Sequence, residues 1–302
     1  MMLKIRTDLA VEAKEIWQET AEKQTKLEGV IARDSEKNGF KITTVEITDE
    51  RGERALGKPV GTYVTIEIDK LINREDNAFT LCAETLADVI SSMMKLKDGD
   101  SVLVVGLGNE AITPDAVGPK TARNTMVTRH LVEKMPEHFG TMRRVSVVQS
   151  GVLGTTGIET ADFIKAVVDK LKPDAVIVVD ALASRKMARI CRTVQLADTG
   201  IIPGSGVGNA RAAINKETLG VPVLAIGVPT VVDAATLAAD IVSEAGVKDL
   251  EPEDLANHGI NMIVTPKEID ANVADIGKLI GYGINLALHG DITLEDINMF
   301  LS

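Results

Sequence analysis

From Asp8 to about Lys26, the apolar residues Leu9, Ala13, Ile16 and Trp17 recur at helical spacing between charged positions. Asp8 stands where it can cap the start, so the pattern predicts an amphipathic helix. The period then changes: Lys41 to Thr48 (KITTVEIT) and Thr62 to Ile68 (TYVTIEI) alternate around a polar, glycine-containing connection, the signature of a strand pair elaborating residues 40–70. A second helix is predicted from about Asp76 to Lys97, where Leu81, Thr85, Ala87, Val89 and Met93 mix into an apolar face and Asp98-Gly99-Asp100 marks the end.

Beyond residue 100 the pattern becomes short apolar runs alternating with helical segments. Ser101 to Val105, Arg144 to Val148, Ala175 to Val179, Val221 to Ile226 and Met262 to Val264 read as buried strands. Lys120 to Met135, Glu159 to Leu171 and Asp233 to Ala245 read as helices between them, with a long final helix from about Glu268 to His289. Alternation of this kind predicts an α/β fold, an open, mostly parallel sheet flanked by helices. No repeat or low-complexity linker divides the chain, and one α/β sheet can absorb 302 residues, so a single domain over 1–302 is expected.

Composition agrees with that core. Hydrophobic residues make up 45% of the chain and aromatics only 3%, so Val, Ile, Leu and Ala must fill the interior, as suits buried parallel strands. The net charge of -11, with no run of Lys and Arg to offset it, argues against nucleic acid as a partner. Cys82 and Cys191 are too few for a disulfide framework and fit a reducing compartment. MMLKIRTDLA at the start has no signal-peptide core and no later run approaches membrane-spanning length, so a cytoplasmic protein without a membrane partner is expected.

In an open parallel sheet, reactive groups gather in the loops that leave the carboxyl ends of the strands. Here those loops are rich in glycine, which lets backbone amides approach a ligand. Gly106, Gly108 and Asn109 follow the first strand, Gly154 follows the second, and Gly204, Gly206 and Gly208 lie in a later loop; all seven are candidate substrate-binding positions. Gly106 to Ala111 formally meets the dinucleotide fingerprint G-x-G-x-x-G/A, but Pro114 and Pro119 interrupt the helix that should receive the pyrophosphate. Two aspartates stand out by position: Asp180 ends an apolar strand, and Asp115 lies between two prolines in the loop of an earlier one. Carboxylates brought close together cannot both ionise easily, so one keeps its proton as an acid while the other activates water, which suffices for peptide hydrolysis. The same residues also have structural readings, Asp115 bonding turn amides and Asp180 capping a helix or pairing with Arg185 or Arg189. Glu159 and Asp198 are supporting candidates, and Asp233, also a candidate, is better explained as a helix cap. His130, His138, His258 and His289 lack metal-ligand spacing, so no metal and no cofactor is called for. No serine sits in a G-x-S-x-G elbow, and Cys191 falls in a predicted strand, Ile190 to Leu196, where burial would leave it inert.

The stretches IRTDLAVEA (5–13), VVGLGNEAITPDAVGP (104–119), VTRHL (127–131), GVLGTTGIET (151–160), VDALASR (179–185), DTGIIPGSGVGNAR (198–211), GVPTVVDA (227–234) and MIVTPKEID (262–270) closely resemble the germination protease family of bacterial spores, in order and along nearly the whole chain. The resemblance implies an atypical aspartic endopeptidase that degrades small acid-soluble spore proteins in the spore core at germination, with Asp115 and Asp180 matching its two essential aspartates. It implies a homotetramer, and a fold similar to that of the hydrogenase maturation proteases. Those enzymes hold a metal at related acidic positions, so metal-assisted hydrolysis is the nearest enzymatic alternative, and a peptide- or anion-binding module the non-catalytic one. Members of the family are made as zymogens with an amino-terminal pro-segment removed by self-cleavage. Only Met1 to Lys4 precede the matching motif here, so either the inhibitory element is very short or regulation uses pH, hydration or assembly.

Overall fold

A computed structural model describes residues 7–20, 27–244 and 262–302. The turns expected between Thr20 and Lys26, the end of a helix at Ala245, the first two residues of IRTDLAVEA, and His258 lie outside them.

Among the described residues nine strands form one sheet: β1 (Val30–Lys37), β2 (Phe40–Ile47), β3 (Gly61–Glu67), β4 (Val102–Leu107), β5 (Val145–Gly151), β6 (Ala175–Ser184), β7 (Thr193–Ala197), β8 (Val223–Asp233) and β9 (Ile263–Val264). Their order is β1-β2-β3-β7-β8-β6-β4-β5, with β9 pairing β8. β5, β4, β6 and β8 run parallel to their neighbours within that group. The expected strand pair, β2 and β3, belongs to an antiparallel half that joins the parallel half where β7 meets β8. The α/β class and the helix-flanked sheet are as the patterning predicts.

β4 shows why the parallel half is buried on both faces. Val102 and Val104 pack into the core formed with the Ala78–Met94 and Ile269–His289 helices, whereas Leu103, Val105 and Leu107 pack with Ile164 and Val168 of the Thr160–Leu171 helix. Alternate residues thus feed opposite layers, and all six strand positions are buried.

Four expectations change. The helix expected from Lys120 to Met135 is two helices, Val117–Arg123 and Arg129–Lys134. The break has a cause: buried Asn285 of the last long helix donates to Asn124 O (2.9 Å) and accepts from Met126 N (2.8 Å), taking groups the helix would have used. β6 and β8 run past their expected ends to Ser184 and Asp233, so Asp180 lies within its strand and not at its end. Cys191 precedes β7, buried, with a left-handed φ of 58°. Finally, β1 was not foreseen, because its VIARDSEK sequence faces water along most of its length. Its hairpin to β2 does carry a legible turn, Asn38-Gly39, with φ of 51° and 78°. No described helix is long and apolar enough to cross a membrane.

Candidate active site

The parallel pairing of β4 with β6 stops at Gly106 and Val179, whereas β6 and β8 stay paired from Asp180 opposite Gly227 to Ser184 opposite Val232. Asp180 is therefore the first β6 residue beyond the point where β4 leaves, and a crevice opens beside it. It is only 6% exposed, and Oδ1 accepts a bond from Ala181 N at 2.9 Å.

The chain leaving β4 folds straight back over the strand ends. Gly118 lies against the backbone of Leu107 and Val179, and Gly106 against the backbone of Gly118, so a methyl group at either position would overlap main-chain atoms. This close approach delivers the Thr113–Asp115 turn to the crevice. Buried Thr230 of β8 fixes it by donating from Oγ1 to Pro114 O at 2.7 Å. Asp115 Oδ2 accepts from Asn109 N at 2.7 Å.

Asp115 and Asp180 line one cavity of about 300 Å³, whose walls include Gly108, Gly151, Gly154 and Gly204, with Glu159 and Arg211 as the other charged members. A separate hollow, lined by Asp8, Tyr63, Leu182 and Ser205 among others, does not include this pair. Burial, and next the negative charge of Asp115, raise the Asp180 carboxyl well above its ordinary range; Asp8 adds to the effect. Burial also raises Asp115, but the amide of Asn109 stabilises its ionised form. Both carboxyls are thus raised, Asp180 well above its ordinary range and Asp115 less, so of the two Asp180 holds its proton more strongly.

Of the positions singled out in the sequence, Asp115, Asp180, Gly108, Gly154, Gly204 and Glu159 line this cavity. Asn109 supports Asp115 through its amide, while its side chain accepts from Ala111 N. Gly106 packs against Gly118, and Gly206 packs against Asp8 and Ala183. Gly208 closes the Ser205–Val207 turn with φ of 73°. Asp198 lies apart, accepting from Thr62 N at the β3–β7 junction. Asp233 caps the Ala234–Glu244 helix through Thr236 N at 3.0 Å. Arg189 pairs with Glu15 and Glu12, so it is not the partner of Asp180. The thiols of Cys82 and Cys191 are pushed up by burial to about 12 and about 11, which suits core packing and not nucleophilic attack.

Asp8 is the residue the patterning misassigned. Its carboxylate accepts from Ala183 N (2.9 Å) and Ser205 Oγ (2.7 Å), so it joins β6 to the Ser205–Val207 turn and does not cap the helix that follows. Thr230 and Arg211 were also missed, since a lone Thr or Arg in a loop-forming stretch carries no periodic signal. Both lie in the matching motifs GVPTVVDA and DTGIIPGSGVGNAR, the one trace of them in the sequence.

Among the described residues no three His, Cys, Asp or Glu side chains converge as metal ligands. Two carboxylates alone do not make the three- or four-ligand set of a protein zinc site.

Comparison with known proteins places the chain in a family. The profile described as germination protease matches residues 10–248 and 242–301. A germination protease of Caldanaerobacter subterraneus subsp. tengcongensis is 47% identical, with 100% of this chain and 99% of the relative covered. One from Clostridium perfringens is 41% identical with 100% of both covered, and one from Priestia megaterium 38% identical with 98% and 96% covered. Among solved structures, a NiFe hydrogenase maturation protease from Thermococcus kodakarensis KOD1 is similar at 17% identity and a TM-score of 0.35, over 65% of this chain and 98% of that one, a likeness too slight to carry an argument. Matched from one end of the described chain to the other and at this level of identity, the protein belongs to the germination protease family and is a peptidase.

Proposed function

We propose that the chain is an endopeptidase that degrades small acid-soluble spore proteins in the core of a germinating spore, using Asp115 and Asp180 as an acid–base pair. The observation that carries the mechanism is the buried Asp180, sharing one cavity with Asp115 and sensing its charge. Ionised Asp115 takes a proton from water as the oxygen attacks the scissile carbonyl carbon, and protonated Asp180 donates to the carbonyl oxygen. The tetrahedral diol then collapses: Asp115 passes its proton to the amide nitrogen, the C–N bond breaks, and Asp180 recovers its proton from the hydroxyl that becomes the new carbonyl. Amides of the surrounding glycine-rich loops supply the donors a peptide backbone needs. The family resemblance further proposes a homotetramer, while the net charge of -11 and the lack of an apolar run of membrane-spanning length propose no nucleic-acid or membrane partner.

The test is digestion of a small acid-soluble spore protein by the purified chain, with and without a strong chelator, read by mass spectrometry. Asp115→Asn and Asp180→Asn should each lower the cleavage rate by about 100-fold or more while keeping the folded circular-dichroism spectrum. Either variant retaining full activity would remove the pair from the mechanism, and loss of wild-type activity in chelator would move the reading to metal-assisted hydrolysis.

A further inference from the structure

We propose that Asp8 is a positioning residue of the active site, tying the Pro203–Asn209 loop to β6 and so holding one wall of the substrate cavity. The inference rests on the cavity of Asp115 and Asp180 being the site of hydrolysis. Four contacts converge on this one residue from distant parts of the chain. Its backbone N donates to Ala183 O at 3.1 Å and its Oδ2 accepts from Ala183 N at 2.9 Å, so Asp8 grips both main-chain groups of a residue three places beyond Asp180. Its Oδ1 accepts from Ser205 Oγ at 2.7 Å. Gly206 lies so close to Oδ2 that any side chain there would collide with the carboxylate. The backbone behind it is fixed as well: Gln195 of β7 donates to Asp8 O at 3.1 Å and accepts from Ala10 N at 2.7 Å.

The loop held in this way belongs to the cavity. Pro203, Gly204, Asn209 and Arg211 all line it, and Asn209 N and Arg211 N donate back to Gly204 O and Pro203 O at 2.9 Å each. Ser205 and Gly206, at the loop's tip, touch Asp8 instead and do not line the cavity. Released from Asp8, the loop would keep its internal turns and lose its place against β6. Such a defect weakens substrate binding before it weakens chemistry.

A second consequence separates this role from a purely structural one. The charges of Asp115 and, more weakly, Asp8 act on Asp180, and the cavity also holds Glu159 and Arg211. Lys58 lies near Asp8, its Nζ donating to Thr7 O at 3.1 Å and its charge attracted by Asp8 and Glu12. Replacing Asp8 with Asn keeps an acceptor for Ala183 N and a partner for Ser205 but removes a negative charge that helps Asp180 keep its proton. If Asp180 must be protonated to work, the alkaline limb of the pH profile moves to lower pH.

The experiment is steady-state cleavage of one small acid-soluble spore protein across pH by the full chain and three variants. Asp8→Ala and Ser205→Ala should raise KM, Asp8→Ala by about tenfold or more because it removes both hydrogen bonds to the carboxylate, with kcat changed less. Asp8→Asn should restore most of KM yet shift the alkaline limb of kcat downward in pH, and Ser205→Ala should leave that limb in place. Wild-type KM in both Asp8→Ala and Ser205→Ala would overturn the inference, as would an Asp8→Asn profile superimposed on the wild type. Asp180→Asn assayed alongside keeps the readings separable: its inactivity with an unaffected Asp8→Ala sinks the Asp8 role alone, whereas full activity in Asp180→Asn sinks the carboxyl pair.

Discussion

Asp180 can be tested through stability as well as through catalysis. The folded chain holds its proton to a pH well above the ordinary carboxylate value, whereas the unfolded chain releases it near pH 3.9. Between that pH and the raised value the folded state binds the extra proton, so stability falls as pH rises through the window. Asp180→Asn removes the titration, and its melting temperature relative to the wild type should climb from pH 4 toward pH 8; calorimetry showing parallel curves would contradict the assignment. Thr230 acts at the same scale by different means. Thr230→Val keeps the shape but leaves Pro114 O without its 2.7 Å donor in a buried setting, at a cost of about 1–3 kcal/mol. Because Asp115 follows Pro114 directly, kcat should fall more than KM rises, a split that stopped-flow or steady-state kinetics can read.

At the scale of elements, the turn that carries Asp115 depends on an absence of side chain. Gly118 sits against the carbonyl oxygens of Leu107 and Val179, neither of which can retreat without breaking strand pairing. Gly118→Ala should therefore cost about 3 kcal/mol, measurable by urea denaturation, and an unchanged midpoint would show that the turn is not held by this contact. Runs such as VLVVGL and AVIVV announce buried strands because both faces of the parallel half are covered, and the aspartate beyond AVIVV was legible for the same reason. Strand β1 was not, since an exposed edge needs no apolar alternation. The split of the 120–135 helix was equally invisible, because its cause is Asn285, more than 150 positions away from Met126. Asp8 looked like a helix cap because local spacing contains no hint of Ala183 or Ser205. Positions set by neighbours in space leave their mark only in motifs, and motifs carry no geometry.

Across the whole molecule, the Ala10–Thr20 helix is clamped to the chain after β6 by two carboxylates. Glu12, fully buried, accepts from Ser184 Oγ (2.8 Å), Arg185 N (2.8 Å) and Lys186 N (3.1 Å), and Glu15 pairs with Lys186 and Arg189. Burial opposes the charge on Glu15, but its bonds to Arg189 and Lys186 outweigh that and hold its carboxyl at about 2. The stabilisation from Glu15 is complete above pH 4.3 and is lost as pH falls toward 2. Glu12→Ala leaves several donors buried without an acceptor and should destabilise the chain by about 3–5 kcal/mol, with Asp8 loosened in the same step, so KM and the denaturation midpoint should change together. The sheet order adds a consequence in time. β8 is the strand that joins the antiparallel and parallel halves, yet it spans residues 223–233, late in the chain. A ribosome that has delivered Asp8, Asp115 and Asp180 has still not delivered Thr230 or the strand that pairs with Asp180. On the proposed mechanism synthesis itself is thus a safeguard, because a nascent chain holds both aspartates for some time before the cavity that would let them act has formed.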